Sequence, residues 1–123
     1  MSPDPTPQLA PYIVAKDAPA LAQFLERALG ATIVRQEPST GSPVHFELRL
    51  RDGIVMIGEA PSGRPPFPAM VHLYVPDADA AYARALRAGA TSVREPARAP
   101  DGLTRGGVRD AWGNEWWFSG TSR

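Results

Sequence analysis

Residues Val44 to Arg51 alternate without a break. Phe46, Leu48 and Leu50 fall on one side, and His45, Glu47, Arg49 and Arg51 on the other. That period of two is the signature of a strand with one buried face. Arg51-Asp52-Gly53 is a hairpin signal, and Ile54 to Gly58 reads as the returning strand. Upstream the period lengthens. Leu21, Phe24, Leu25 and Ala28 lie at i, i+3, i+4 and i+7, one buried stripe of a helix. Asp17 is placed to cap it, Pro19 sits in its first turn and Gly30 ends it. Ala10 to Lys16, with Tyr12-Ile13-Val14 at its centre, and Ala31 to Arg35 read as the strands before and after this helix, and Glu37 to Ser42 as a turn-rich loop.

The same order then recurs. Asp17 to Pro38 contains Gly30-Ala31-Thr32-Ile33-Val34-Arg35, and Asp77 to Pro96 contains Gly89-Ala90-Thr91-Ser92-Val93-Arg94, each followed by Glu-Pro. An internal repeat of this length marks two copies of one supersecondary unit rather than a solenoid. In the second copy Ala69 to Val75 is the leading strand. Asp77 or Asp79 caps a helix whose inner face is Ala81, Tyr82, Ala85 and Leu86, and Thr91 to Arg94 is the strand after it. Ala97 to Leu103 is a loop, Thr104 to Arg109 a Gly-interrupted strand, Asp110 to Asn114 a turn and Glu115 to Ser119 the last strand. The order is βαβββ twice, an α+β fold. It divides into a loose arm (1–9) and a single domain (10–123), with module one at 10–59, a Pro/Gly linker at 60–68 and module two at 69–123.

Composition narrows the function. The 13 basic and 13 acidic residues cancel, so no charge excess points to nucleic acid or an anionic membrane. There is no cysteine, which removes disulfides and thiolate metal ligands. The polar, Pro-rich first residues lack a signal-peptide core and no apolar run is long enough to span a bilayer; a cytoplasmic protein is the expectation.

The residues and their order resemble the vicinal oxygen chelate superfamily, which includes glyoxalase I, bleomycin-resistance proteins and extradiol dioxygenases. The match is carried by Pro11-Tyr12-Ile13-Val14-Ala15-Lys16-Asp17, Phe24 and Leu29-Gly30-Ala31 in module one. In module two it is carried by His72-Leu73-Tyr74-Val75-Pro76-Asp77-Ala78-Asp79-Ala80, Ala88-Gly89-Ala90 and Arg109-Asp110-Ala111-Trp112-Gly113-Asn114. The resemblance implies two curved sheets with outer helices that pair into a ligand-holding cup, in homodimers whose cups draw modules from two chains. In the enzymes the cup holds a divalent metal on His, Gln or Glu from the first, fourth, fifth and eighth strands. Carried over by spacing, those positions are Ala10, Met56 (Ile57 after a one-residue slip), Met70 and Trp117. None suits a hard or borderline divalent ion.

Period-2 alternation extends the same face. It predicts a cup lined by Tyr12, Met56, Met70, His72, Tyr74 and Trp117, with Glu115 and Glu47 as polar groups, while Trp116 and Phe118 pack beneath the helices. Met and aromatic walls suit a flat, partly apolar small molecule. The leading expectation is therefore a binding protein of the bleomycin-resistance type, with no metal, no cofactor and no catalytic residue. Two others stand beside it. One is a metal-dependent lyase, isomerase or dioxygenase assembled from His45, His72, Glu47 and Glu115 with Glu115 moving protons. The other is a structural or regulatory module whose cup is filled by its own side chains.

Overall fold

The computed structural model describes residues 9–121; all of the expected N-terminal arm except Leu9 lies outside the described residues. The elements are β1 (Tyr12–Ala15), α1 (Ala18–Leu29), β2 (Thr32–Glu37), β3 (His45–Leu50), β4 (Gly53–Glu59), β5 (Met70–Asp77), α2 (Ala78–Arg87), β6 (Thr91–Arg98), β7 (Thr104–Arg109) and β8 (Glu115–Thr121). They form two four-stranded sheets, ordered β1-β4-β3-β2 and β5-β8-β7-β6. In each sheet the first pair, β1 with β4 or β5 with β8, is parallel and the other pairs are antiparallel. The predicted α+β architecture of two βαβββ modules is the observed one.

Local chemistry starts each helix. Asp17, at φ 62°, accepts the Ala20 N–H on its carboxylate. Glu59, at the end of β4, accepts the N–H groups of Asp17 and Ala18 at 2.8 and 2.7 Å, so two carboxylates face the positive end of α1. Of the two candidate caps for α2, Asp77 is the one that accepts, from Ala80 N–H at 3.0 Å; Asp79 lies inside the first turn.

Every strand but β7 departs from its expected bounds by one or two residues, and β6 by four. β1 is shorter, Tyr12–Ala15, because its partner register covers only those four residues. β6 is longer and runs to Arg98 through Pro96, pairing Ala97 with Arg105 and Arg98 with Thr104. β6 is an edge strand, where a proline can turn its missing donor away from the ladder.

Both modules feed one core. Ile13, Leu21, Leu25, Phe46, Leu48 and Ile57 fill it from module one, and Trp116, Phe118 and Val108 from module two. The expected inner face of α2 is thinner than drawn: Ala85 is fully buried, and Ala81, Tyr82 and Leu86 only pack against its margin, while Ala78 is buried as well. Trp112 joins the modules. Its indole N–H donates to the Lys16 carbonyl at 2.8 Å, and its ring lies 5.9 Å from that of Phe24. No helix among the described residues is long and apolar enough to cross a membrane.

Candidate functional site

The faces of the sheets turned away from the helices carry the predicted site residues. On module one Tyr12 pairs across to Met56, and Met56 to Glu47, in one row. The next row holds Gly58 and His45. On module two three rows are stacked: Met70, Glu115 and Arg109; His72, Trp117 and Gly107; Tyr74, Ser119 and Arg105. The register resolves the one-residue ambiguities. Met56 is on this face while Ile57 is fully buried beneath α1, and Trp116 is fully buried while Trp117 is on the open face. The eight predicted residues thus gather as two sets, Tyr12, Glu47 and Met56 on one sheet and Met70, His72, Tyr74, Glu115 and Trp117 on the other.

Two glycines set the shape of these faces. An added Cβ at Gly107 would stand 2.6–2.8 Å from the indole atoms of Trp117. The indole therefore lies flat on the strand, over a residue with no side chain. Gly58 plays the same part for Tyr12, whose Cε1 would meet an added Cβ at 2.9 Å. Trp117 is further held by its Nε1–H, which donates to Glu115 Oε1 at 3.0 Å, while Arg109 donates to Glu115 Oε2 at 2.7 Å. These bonds from Trp117 and Arg109 keep the Glu115 carboxyl below its ordinary pKa. Both of its oxygens are engaged, so it is an anchor for the indole and is poorly placed to shuttle protons.

The histidines sit in opposite surroundings. His45 stacks on Tyr12 with ring centres 5.7 Å apart, meets the Tyr12 hydroxyl at 3.3 Å and approaches Glu47 at 3.4 Å. His72 packs against Tyr74, ring centres 5.1 Å apart and planes tilted by 48°, and meets the Ser119 hydroxyl at 2.7 Å. Ser119, fully buried, also accepts from Arg105 Nε at 2.6 Å, and Arg105 donates to Asp101 at 2.7 Å. Desolvation, and then the Arg105 charge, hold His72 below its ordinary pKa.

This donor set does not suit a divalent metal. The positions carried over from the metal enzymes hold an alanine, two thioethers and an indole whose N–H is already committed. Among the described residues no three His, Asp or Glu side chains gather where they could hold an ion; His45 with Glu47, His72 and Glu115 each bond elsewhere. Arg105, Gly107 and Gly58 were absent from the predicted site. Arg105 and Gly107 were detectable, because Arg105, Gly107 and Arg109 alternate with core-facing Gly106 and Val108 along β7. A pocket of about 390 Å³ opens between the module-one face and the linker, bounded by Tyr12, Val14, Gly58, Glu59, Arg64 and Phe67.

Paired βαβββ modules with this strand order define a fold of the glyoxalase type. The profile of the Glyoxalase/Bleomycin resistance protein/Dioxygenase superfamily matches residues 8–118, and the chain belongs to that superfamily. It is 31% identical over 122 residues to an uncharacterized protein of Mycobacterium tuberculosis, with 89% of this chain and 72% of that one covered. Among solved structures it resembles TioX from Micromonospora sp. ML1, at a TM-score of 0.82 and 26% identity over 94% of this chain and 98% of that one. The lactoylglutathione lyase of Agrobacterium tumefaciens shares the fold, at a TM-score of 0.70 and 16% identity over 96% of each chain.

Proposed function

We propose that this protein binds and sequesters a flat, partly apolar small molecule by stacking it on the open face of module two, without a metal ion. The observation that carries this reading is the Trp117 indole laid flat over Gly107 and pinned through its N–H to Glu115. A fixed aromatic plane with one face free is a platform for another ring, and its bonding edge is already satisfied. The substituted metal positions agree, since they remove hard ligands and leave polarizable, apolar contacts. A self-filled cup is disfavoured by exposure: Met70, Tyr74 and Tyr12 stand 70%, 67% and 48% accessible.

A second copy of the chain is the natural cover for these faces. The outer edges of β1 and β5 carry no neighbouring strand among the described residues apart from the Val14–Phe67 bridge, and open edges beside exposed apolar side chains favour association. A homodimer joining module one of one copy to module two of the other would enclose the ligand. Sedimentation equilibrium tests this, and a monomer at all concentrations refutes it.

The binding test uses a planar two-ring probe, 2-naphthamide, titrated by calorimetry into chelator-treated protein. Saturable binding is expected, unchanged by added Zn or Ni and weakened at least tenfold by Trp117→Ala. Failure of 2-naphthamide and of larger planar probes to bind, or full affinity in Trp117→Ala, would overturn the reading.

A further inference from the structure

The polar surroundings of the Trp117 platform specify what its ligand carries. Same-face residues two apart on a strand lie about 7 Å from one another, so the Arg105 row is roughly one aromatic ring's length from the Trp117 row. Arg105 is fixed in that row. Its Nε donates to Ser119 Oγ at 2.6 Å, and Ser119 is fully buried. Its only other bond among the described residues is Nη2 to Asp101 at 2.7 Å, and Asp101 is the more exposed of the two, 47% against 29%. A pair of that kind is worth little in water and yields readily to a competing acid. Two bonds use two of the five N–H donors of a guanidinium.

The chain of bonds has a direction. Arginine can only donate, so the Ser119 oxygen accepts from it and the hydroxyl proton is left for His72 Nε2 at 2.7 Å. An accepting Nε2 puts the ring proton of the neutral imidazole on Nδ1, and desolvation and then the Arg105 charge disfavour the protonated ring of His72. The groups this corner offers a ligand are therefore donors: the remaining guanidinium N–H groups and His72 Nδ1–H. Two further arginines share the face by register: Arg94 stands opposite Gly107 on the exposed edge strand β6, and Arg109 is bonded to Glu115, the group that also locks Trp117.

We propose that Arg105, held by Ser119, is the specificity-determining residue of this face and takes the carboxylate of a flat aromatic acid whose ring lies on Trp117. The inference rests on the stacking function proposed above and adds to it the ligand's chemical class. A forked guanidinium pairs with both oxygens of a carboxylate, which a neutral amide cannot match.

Calorimetry at pH 8 with 2-naphthoate and its neutral isostere 2-naphthamide tests both levels. The wild type is expected to bind the acid at least tenfold more tightly than the amide. Arg105→Met should erase that preference while leaving amide binding within twofold, which also reports that the variant is folded. Arg105→Lys should restore part of the preference, and Ser119→Ala, which keeps the charge but frees the guanidinium, should lower it. Equal binding of acid and amide by the wild type, or equal loss of both in Arg105→Met, would overturn the role of Arg105 and leave the stacking platform standing. Failure of both probes to bind would overturn the platform and this inference with it.

Discussion

Modules one and two share a plan but distribute bulk and polarity differently. In module one helix and sheet both supply large core groups, Leu21, Phe24 and Leu25 from α1 and Ile13, Phe46, Leu48 and Ile57 from the strands. In module two the helix supplies alanines, Ala78 and Ala85, and the bulk comes from the sheet as Trp116, Phe118 and Val108. The hairpin turns differ as well. Arg51 and Asp52 in the β3–β4 turn are exposed, with Arg51 itself at φ 59°. The β7–β8 turn is built around Asp110, a buried carboxylate that accepts from the N–H groups of Trp112 and Asn114, the Asn114 amide and the Trp116 indole, each at 2.9 Å. Asn114 in turn accepts from Ala69 N–H at 2.9 Å, tying the start of β8 to the start of β5. A duplicated unit can thus keep its topology while one copy becomes a packed apolar layer and the other a hydrogen-bonded frame for a site.

The sharpest break of this comparison is at the two turns. Asp110→Ala leaves several buried donors without an acceptor, and is expected to cost about 3–5 kcal/mol in urea unfolding. The matching change in module one, Asp52→Ala, should fall within about 0.5 kcal/mol because nothing buried depends on it. Similar costs for the two would show that Asp110 is not the keystone of its module.

Next in size is the exchange of bulk. Leu25→Ala removes a fully buried side chain from α1 and should cost about 2–5 kcal/mol through lost contact and a cavity. On α2 the fully buried positions are already alanines, so truncation there has little to remove. There the damaging change is enlargement, and Ala85→Leu, forced against β7 and β8, should cost about 1–3 kcal/mol. A neutral or stabilising Ala85→Leu would mean that the alanine face of α2 has room that full burial of Ala85 does not suggest.

Helix starts separate the modules by a smaller margin. α1 has Glu59 bonded to two of its first N–H groups besides its Asp17 cap. α2 has Asp77, while at the end of β8 Thr121 donates instead to the Pro76 carbonyl. Glu59→Ala should cost about 1–2 kcal/mol, comparable with loss of an N-cap. Thr121→Val should cost less, since the carbonyl it leaves is exposed to water. Thermal unfolding of the two variants side by side checks the order.

The sequence showed the fold because its periodicities agree with its punctuation. The alternation of β3, the stripe of α1 and the Gly-Ala-Thr repeat each forced one answer, and together they forced the duplication. Which side chains share the open face was legible to the same depth. Alternation put Tyr12, Met56, His72 and Trp117 on the open face, and the register confirms it. What alternation could not supply was contact across strands. That Gly107 lies under Trp117, or that Ser119 joins Arg105 to His72, depends on which residues of β5, β7 and β8 stand opposite one another, and no local pattern encodes that. β6 was cut short for a related reason: Pro96 reads as a stop until its position on a sheet edge is known.

The smallest expected effect concerns the histidines, which sit beside opposite charges: His45 beside Glu47, His72 near Arg105. Around His72 the titratable and charged neighbours are Arg105 from β7 and Asp101 from the loop before it, with Tyr74 packed from its own strand and Ser119 bonded from β8. Desolvation lowers the His72 pKa most, Arg105 lowers it further and Asp101 opposes them. A lowered imidazole pKa means that the unfolded chain takes up the proton first as pH falls. The stabilising contribution is therefore whole above the ordinary histidine value and is lost as pH drops through the folded one. His72 is exposed enough for solvent to mute that contribution, so the direct readout is its ring-proton titration by NMR. Arg105→Met should raise the His72 pKa but leave it below the ordinary value, because desolvation remains, and Asp101→Asn should lower it further. A wild-type His72 that titrates at or above the ordinary value, or one that ignores Arg105→Met, would break the bonded chain from Arg105 through Ser119 and, with it, the donor-lined corner that sets the module-two face apart.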